Sequence, residues 1–282
     1  MSFKNYLRLF KPRIIALVLF VALASLILAS KSFPLNLILS LTFSGTLAIM
    51  ASNAFNAYYD RDIDAKMHRT SRRPVALGLI EPKRALYVSL FLSLLSLLLS
   101  YLLLNLWTTL FIGLGMFTYM VIYTLWLKRR SVWNIVIGGA SGSFASLGGW
   151  SLVREPFELE ALLLALLVFL WTPSHFWSLA LKIKEDYSKA GIPMLPCLVG
   201  EKKTVKIIFF NTILMVSLSF ILVIFGYGIV YLLFAALSGF MLLFLNFNMI
   251  SKYTERLAFR SFKLSGPYLF LVFLGLMLDA FI

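Results

Sequence analysis

Asn56, Asp60 and Asp64 fall at i, i+4 and i+8 in the stretch NAFNAYYDRDIDAKMHRTSRRP, residues 53–74. At about 3.6 residues per helical turn, that spacing stacks two carboxylates and an amide oxygen along one face. Asn53 precedes them by one turn on nearly the same face. Such hard oxygen donors in a row suit a divalent cation such as Mg²⁺. Asp62 points elsewhere, toward solvent. Bases follow the acids: Arg69, Thr70, Arg72 and Arg73, then Pro74. Acids before bases is the order that holds a metal-chelated diphosphate, with metal between carboxylate and phosphate and guanidinium groups on the remaining oxygens. Two plainer readings stand beside it: the acids balance the arginines, and the arginines merely orient the chain in a membrane. Asn53 and Asn56 weigh against the first, because they lie inside an apolar run where polar groups are costly.

A second acidic loop, KIKEDYSKAGIPMLP, occupies residues 182–196. Asp186 is its best acid, with Lys182, Lys184 and Lys189 nearby. Glu185 is adjacent but about 100° around a helix, so it cannot share the face of Asp186. Gly191 and Pro193 then break the helix. Only these two loops combine acids with many bases, so chemistry is expected where they converge. Between them lies WTPSHFW, residues 171–177, carrying one of the chain's two histidines, His175. A histidine in such a segment either lines a cavity or satisfies a neighbouring helix. Pro173 should kink its helix. The small residues of NIVIGGASGSFASLGGW allow either close helix packing or room for a bulky flat substrate. His68 lies on the charged loop and reads as solvated. No Ser/His/Asp or Cys/His constellation is present.

The elements that must position these residues are greasy. Of the 282 residues, 61% are hydrophobic and 13% charged, with a mean hydropathy of +0.90. A soluble domain would hold about 45–50% apolar and about 25% charged residues. The excess implies an all-α polytopic membrane protein, read as one domain over residues 1–282. Nine apolar runs are long enough to span: 14–30, 36–58, 86–104, 108–127, 132–150, 159–181, 207–226, 229–249 and 264–281. Alternating the loops between two sides puts 24 of the 26 lysines and arginines on one side, leaving Lys31 and Arg154 on the other. That asymmetry predicts a cytoplasmic N-terminus, a C-terminus outside and an acidic site facing the cytoplasm. The net charge of +14 is thereby membrane-orienting, and a nucleic-acid role is excluded. Residues 1–13, with FKNYLRLFKPR, read as an interfacial amphipathic helix rather than a cleaved leader. The single cysteine, Cys197, excludes an internal disulfide framework.

The stripe Asn56, Asp60, Asp64 and a second acidic loop after the sixth span resemble the UbiA-type intramembrane prenyltransferases. Four blocks narrow the resemblance to the heme O synthase branch: residues 53–74, YTLWLKRRSVWNIVIGGASGSFASLGGW, WTPSHFWSLAL and DYSKAGIPMLP. The last three spans match only in hydropathy. The resemblance implies nine helices around a central cavity in the cell membrane. It implies transfer of the farnesyl group of farnesyl diphosphate to the 2-vinyl group of heme B, with water added, to give heme O for terminal oxidases. Carried over by position, Asn56, Asp60, Asp64 and Asp186 would bind Mg²⁺ and perform catalysis. Arg69, Arg73, Lys128, Lys182 and Asn53 would contact diphosphate, and His175 would ligate or orient heme. Partners implied are membrane lipids, heme A synthase and terminal oxidase assembly. The wider superfamily carries a second DxxxD, whereas here Lys182 stands four residues before Asp186. Phe55, Tyr58, Tyr59, Tyr123, Trp126, Phe176 and Trp177 are candidate π faces for an allylic cation. Two alternatives remain: another lipophilic acceptor, such as a quinone precursor or a glycerol phosphate lipid, and a transporter or heme-delivery scaffold. The transporter reading predicts acids near the bilayer midplane.

Overall fold

The computed structural model describes residues 3–282, and among these every regular element is helical. The order is α1 Phe3–Phe10, α2 Pro12–Ser30, α3 Leu35–Tyr59, α4 Arg61–Lys66, α5 Pro82–Leu103 and α6 Leu106–Phe117. Then follow α7 Asn134–Trp150, α8 Leu159–Lys182, α9 Lys184–Lys189, α10 Leu195–Ile221, α11 Ile229–Ser251 and α12 Glu255–Asp279. Of the interfacial helix expected over residues 1–13, Met1 and Ser2 lie outside the described residues. Residues 3–10 form α1, which presents Phe3 and Leu7 outward and buries Leu9, while Lys11 turns the chain and Pro12 and Arg13 already belong to α2.

Among the described residues, eight helical stretches are long and apolar enough to cross a membrane. The expected fifth span, α7, is not among them: it has 17 residues, about 25 Å at 1.5 Å per residue. Local chemistry sets the ends. Pro12 starts α2 directly after Lys11, whose φ of 54° turns the chain sharply out of α1. Asn105 caps α6 by accepting the Thr108 N–H at 2.8 Å, and Thr254 caps α12 by accepting that of Leu257. α10 begins at Leu195, earlier than its apolar run, and bends at Gly200, whose φ is 77°. α12 likewise begins in the basic loop, at Glu255, before its apolar run.

One element is not an ordinary helix. After α6 the backbone widens into a ten-residue π-helix, Thr118–Leu127, closing with the Lys128 N–H on the Tyr123 carbonyl at 2.9 Å. Such wide turns are rare and recur at functional sites. The packing order places it at the cavity: α3 packs on α5, on α2 and on the π-helix, and α7 packs on the π-helix, α2 and α8. α12 packs on α8 and returns to α2, closing the ring. The α2–α7 approach depends on Gly149, because an added Cβ would lie 1.9 Å from the Ala22 carbonyl oxygen.

Candidate functional site

The acidic stripe forms across a helix break. α3 ends at Tyr59, Asp60 takes φ −89° and ψ 8°, and α4 restarts at Arg61. The i to i+4 register survives, with the Asp60 N–H on the Asn56 carbonyl at 2.9 Å and the Asp64 N–H on that of Asp60 at 2.7 Å. Asn56, Asp60 and Asp64 are therefore brought together, and they are 3%, 0% and 2% exposed. Carboxylates this deep need partners. Lys128, just past the π-helix, donates to Asp60 Oδ2, as does Asn56 Nδ2 at 2.6 Å. Arg73 donates through one nitrogen to both oxygens of Asp64, 2.8 Å each. Thr70 holds the turn by donating to the Asp64 carbonyl at 3.1 Å. Asp60 Oδ1 is buried without a hydrogen-bond partner among the described residues. An orphaned carboxylate oxygen with a second carboxylate one turn on, at the negative end of α3, suits a hard cation, and the Asn56 amide, whose nitrogen faces Asp60 and whose oxygen is held by Lys11, can turn its oxygen to the same ion.

Asp62 lies off the stripe as expected, yet it is paired rather than merely solvated: Arg129 donates to its two oxygens at 2.7 and 2.8 Å. The Arg129 hydrogen bond holds the Asp62 carboxyl below its usual range, and Asp62 raises the guanidinium in return.

The two loops do converge. The Arg69 N–H donates to Asp186 Oδ2 at 3.4 Å, and Tyr187 packs with Ile63 and Met67. Among the described residues, no three His, Cys, Asp or Glu side chains gather as a metal site. Asp60, Asp64 and Asp186 therefore do not close into one three-acid cluster, and the further polar group beside Asp60 is the Asn56 amide. Lys182 is turned outward: it is 41% exposed at the side chain and pairs with Glu255 on α12 at 2.5 Å.

Behind the stripe opens a cavity of about 350 Å³. Its charged mouth holds Lys11, Asn53, Asn56, Asp64, Arg69, Thr70, Arg73 and Lys128, while its interior is apolar. Lys11 was not singled out by sequence. It donates to Asn56 Oδ1 at 2.8 Å, and burial together with the nearby Arg73 pushes its ammonium well below the usual lysine range. Only a positive φ between two helices delivers it there, and a sequence does not display that turn. Asn53 donates to the Phe10 carbonyl at 2.9 Å, tying α1 over the mouth.

The aromatic wall differs from expectation. Tyr123 and Phe176 line the cavity, joined by Tyr119, Phe111, Phe144 and Trp171. Phe55 and Tyr59 instead stack on each other outside it, with ring planes 3° apart and centroids 6.3 Å apart. Tyr58 packs beside Leu9 and Val75. Trp126 is 54% exposed, and Trp177 is buried with Ala180 and Leu181. The π-helix explains part of this, because its wider turn changes which residues share a face after Thr118. His175 also lines the cavity, stacked on Trp171 at a centroid separation of 4.3 Å. The small residues of α7 serve both expectations. Gly138 and Gly139 admit Tyr123 and Thr172 closely, and both glycines border the cavity.

The model of the UbiA prenyltransferase family matches residues 18–274. The chain is 42% identical to protoheme IX farnesyltransferase 1 of Cenarchaeum symbiosum (strain A), over 99% of this chain and 97% of that protein. It is also 42% identical to protoheme IX farnesyltransferase 1 of Paramagnetospirillum magneticum, over 99% of each. Among solved structures, a digeranylgeranylglyceryl phosphate synthase superposes with a TM-score of 0.81 at 21% identity, covering 99% of this chain and 98% of that one. A UbiA homolog from Archaeoglobus fulgidus bound to GPP and Mg²⁺ superposes with a TM-score of 0.71 at 18% identity, covering 96% and 99%. At those identities the structural likeness speaks to the fold.

Proposed function

The chain belongs to the UbiA prenyltransferase family, and from that premise we propose that it transfers a farnesyl group from farnesyl diphosphate to the 2-vinyl group of heme B, giving heme O. Relatives about 40% identical over nearly the whole chain carry the name protoheme IX farnesyltransferase, which supports heme as acceptor. The observation that carries the reading is the buried Asn56–Asp60–Asp64 stripe with its unpartnered Asp60 oxygen, set against a ring of bases at the mouth of an apolar cavity.

Asn56, Asp60 and Asp64 would hold Mg²⁺, in keeping with the metal and GPP bound by the A. fulgidus homolog. When bound, the ion neutralises charge on the diphosphate leaving group. The chain's own bases do the rest. Arg73 and Lys128 are held by Asp64 and Asp60. When a diphosphate arrives they turn to its oxygens, joined by Lys11 and Arg69. Asp186 keeps its hold on the Arg69 backbone and so closes the two loops over the mouth. Lys182, paired with Glu255, stays out of this set.

The allylic C–O bond breaks with its electron pair leaving on diphosphate. The vinyl π bond then forms the new C–C bond at farnesyl C1. The cation left beside the tetrapyrrole ring takes a water oxygen, and that water loses one proton. Tyr123, Phe176 and Trp171 offer π faces to the transient cation and keep other nucleophiles away.

The whole chain is read as one membrane domain of nine crossings, with α7 as the fifth, added to the eight longer spans. The charged mouth lies at the base-rich end, which supports reading the site and the N-terminus as cytoplasmic at the cell membrane and the C-terminus as outside. Heme A synthase or the terminal oxidase assembly machinery would receive the product.

Diphosphate release from farnesyl diphosphate in the presence of heme B tests the metal assignment. Release should require Mg²⁺ and stop with a chelator. Equal release in chelator would sink that assignment.

A further inference from the structure

Ser265 of α12 makes two short contacts through one hydroxyl. Its Oγ lies 2.8 Å from the Phe262 carbonyl oxygen and 2.7 Å from His175 Nδ1. A serine hydroxyl has one proton, and a carbonyl oxygen can only accept. The hydroxyl proton therefore goes to Phe262. Were it given to His175 instead, two oxygen lone pairs would face each other at 2.8 Å. Ser265 Oγ must then accept, and the proton it accepts sits on Nδ1. The hydrogen-bond network thus fixes the tautomer.

The ring has little freedom to escape this arrangement. Trp171 stacks on it at 4.3 Å, Phe262 lies at 4.4 Å, and Phe176 meets it edge-on at 5.4 Å. Trp171 is itself anchored by donating its indole N–H to the Ser265 carbonyl at 2.7 Å. One residue thus holds both the histidine and the aromatic ring stacked on it. Nε2 is left with its lone pair and no hydrogen bond among the described residues, on a residue that borders the cavity.

We propose that Ser265 is a positioning residue that locks His175 as the Nδ1–H tautomer, so that the Nε2 lone pair is presented to the cavity as a nitrogen ligand for the iron of the tetrapyrrole acceptor. This rests on the reading of heme as acceptor. A neutral imidazole whose second nitrogen donates to a fixed oxygen is the usual arrangement of a metal-binding histidine, and the outer partner sets ring orientation and ligand basicity. Iron held at one axial position would fix the porphyrin plane and so decide which vinyl group meets farnesyl C1.

Two measurements test it separately. The first needs no heme: ¹⁵N spectroscopy of histidine-labelled protein in a His68→Gln background, which leaves His175 as the one histidine of the chain. The Nδ1–H tautomer is expected, and an Nε2–H tautomer overturns the proposal. The second titrates purified protein with ferric heme B and follows the Soret band and electron paramagnetic resonance. Wild type should show axial nitrogen ligation, and His175→Ala should lose it. Ser265→Ala should weaken heme affinity about 10–100-fold with unchanged thermal unfolding, and Ser265→Thr should restore it. Heme bound with the same spectrum and affinity in His175→Ala or Ser265→Ala overturns the proposal and leaves the acceptor reading standing. No heme binding by wild type overturns both the ligation and the acceptor reading.

Discussion

Asp60 is fully buried with one carboxylate oxygen unpartnered, whereas Asp62, two residues on, is half exposed and paired to Arg129. The account assigns chemistry to the first and none to the second. Asp60→Asn or Asp64→Asn keeps the side-chain shape and should lower farnesyl transfer at least about 100-fold while the protein still folds. Asp62→Asn should stay within about twofold of wild type, because an exposed ion pair contributes about 1 kcal/mol or less. Lys182→Ala should behave like Asp62→Asn, since its partner is Glu255 on the surface. Lys11→Ala should raise the KM for farnesyl diphosphate about tenfold, the loss expected for one hydrogen bond to a charged group. Steady-state rates on purified variants check all of these. At this scale the stripe was legible because helical spacing alone lines up Asn56, Asp60 and Asp64. Lys11 and Ser265 were not: one depends on a sharp turn between helices, and the other is a lone serine in an apolar run.

The π-helix Thr118–Leu127 is the element that decides the cavity wall. It sets Tyr119 and Tyr123 on the cavity side, leaves Trp126 outside, and delivers Lys128 to Asp60. Its sequence, TYMVIYTLWL, is plain membrane helix by composition, and an ordinary 3.6-residue period would put Trp126 on the same face as Tyr119 and Tyr123. Gly138 of α7 sits where an added Cβ would meet the Tyr123 ring at 2.8 Å, a side chain that can shift. Gly149 meets the Ala22 backbone oxygen at 1.9 Å, which cannot shift without moving α2. Gly138→Ala should therefore lower activity more than stability. Gly149→Ala should destabilise by about 1–3 kcal/mol or more. Thermal unfolding in detergent beside turnover separates the two cases.

Across the whole molecule, charge and cavity share one end. Lys11, Arg73 and Lys128 gather at the mouth, while Arg154 reaches back to the Ala29 carbonyl, near the far end of α2. In a Cys197→Ala background, a cysteine at Arg61 should react with an impermeant thiol reagent only from the cytoplasmic side, and one at Glu155 only from outside. The reverse pattern would invert the proposed orientation. The apolar, membrane-long helices and the lopsided distribution of bases were readable because the bilayer imposes both on composition; the early starts of α10 and α12 were not, because those helices begin within basic loops before their apolar runs. The transporter reading expected acids at the midplane, but Asp60 and Asp64 stand at the C-terminal end of α3 and just beyond it. The most direct measurement incubates purified protein with heme B, farnesyl diphosphate and Mg²⁺ and weighs the heme by mass spectrometry. The account predicts a product heavier by one farnesyl and one hydroxyl group, absent with Asp60→Asn. Unaltered heme, with farnesyl transferred to a quinone precursor or a glycerol phosphate lipid supplied in its place, would contradict it.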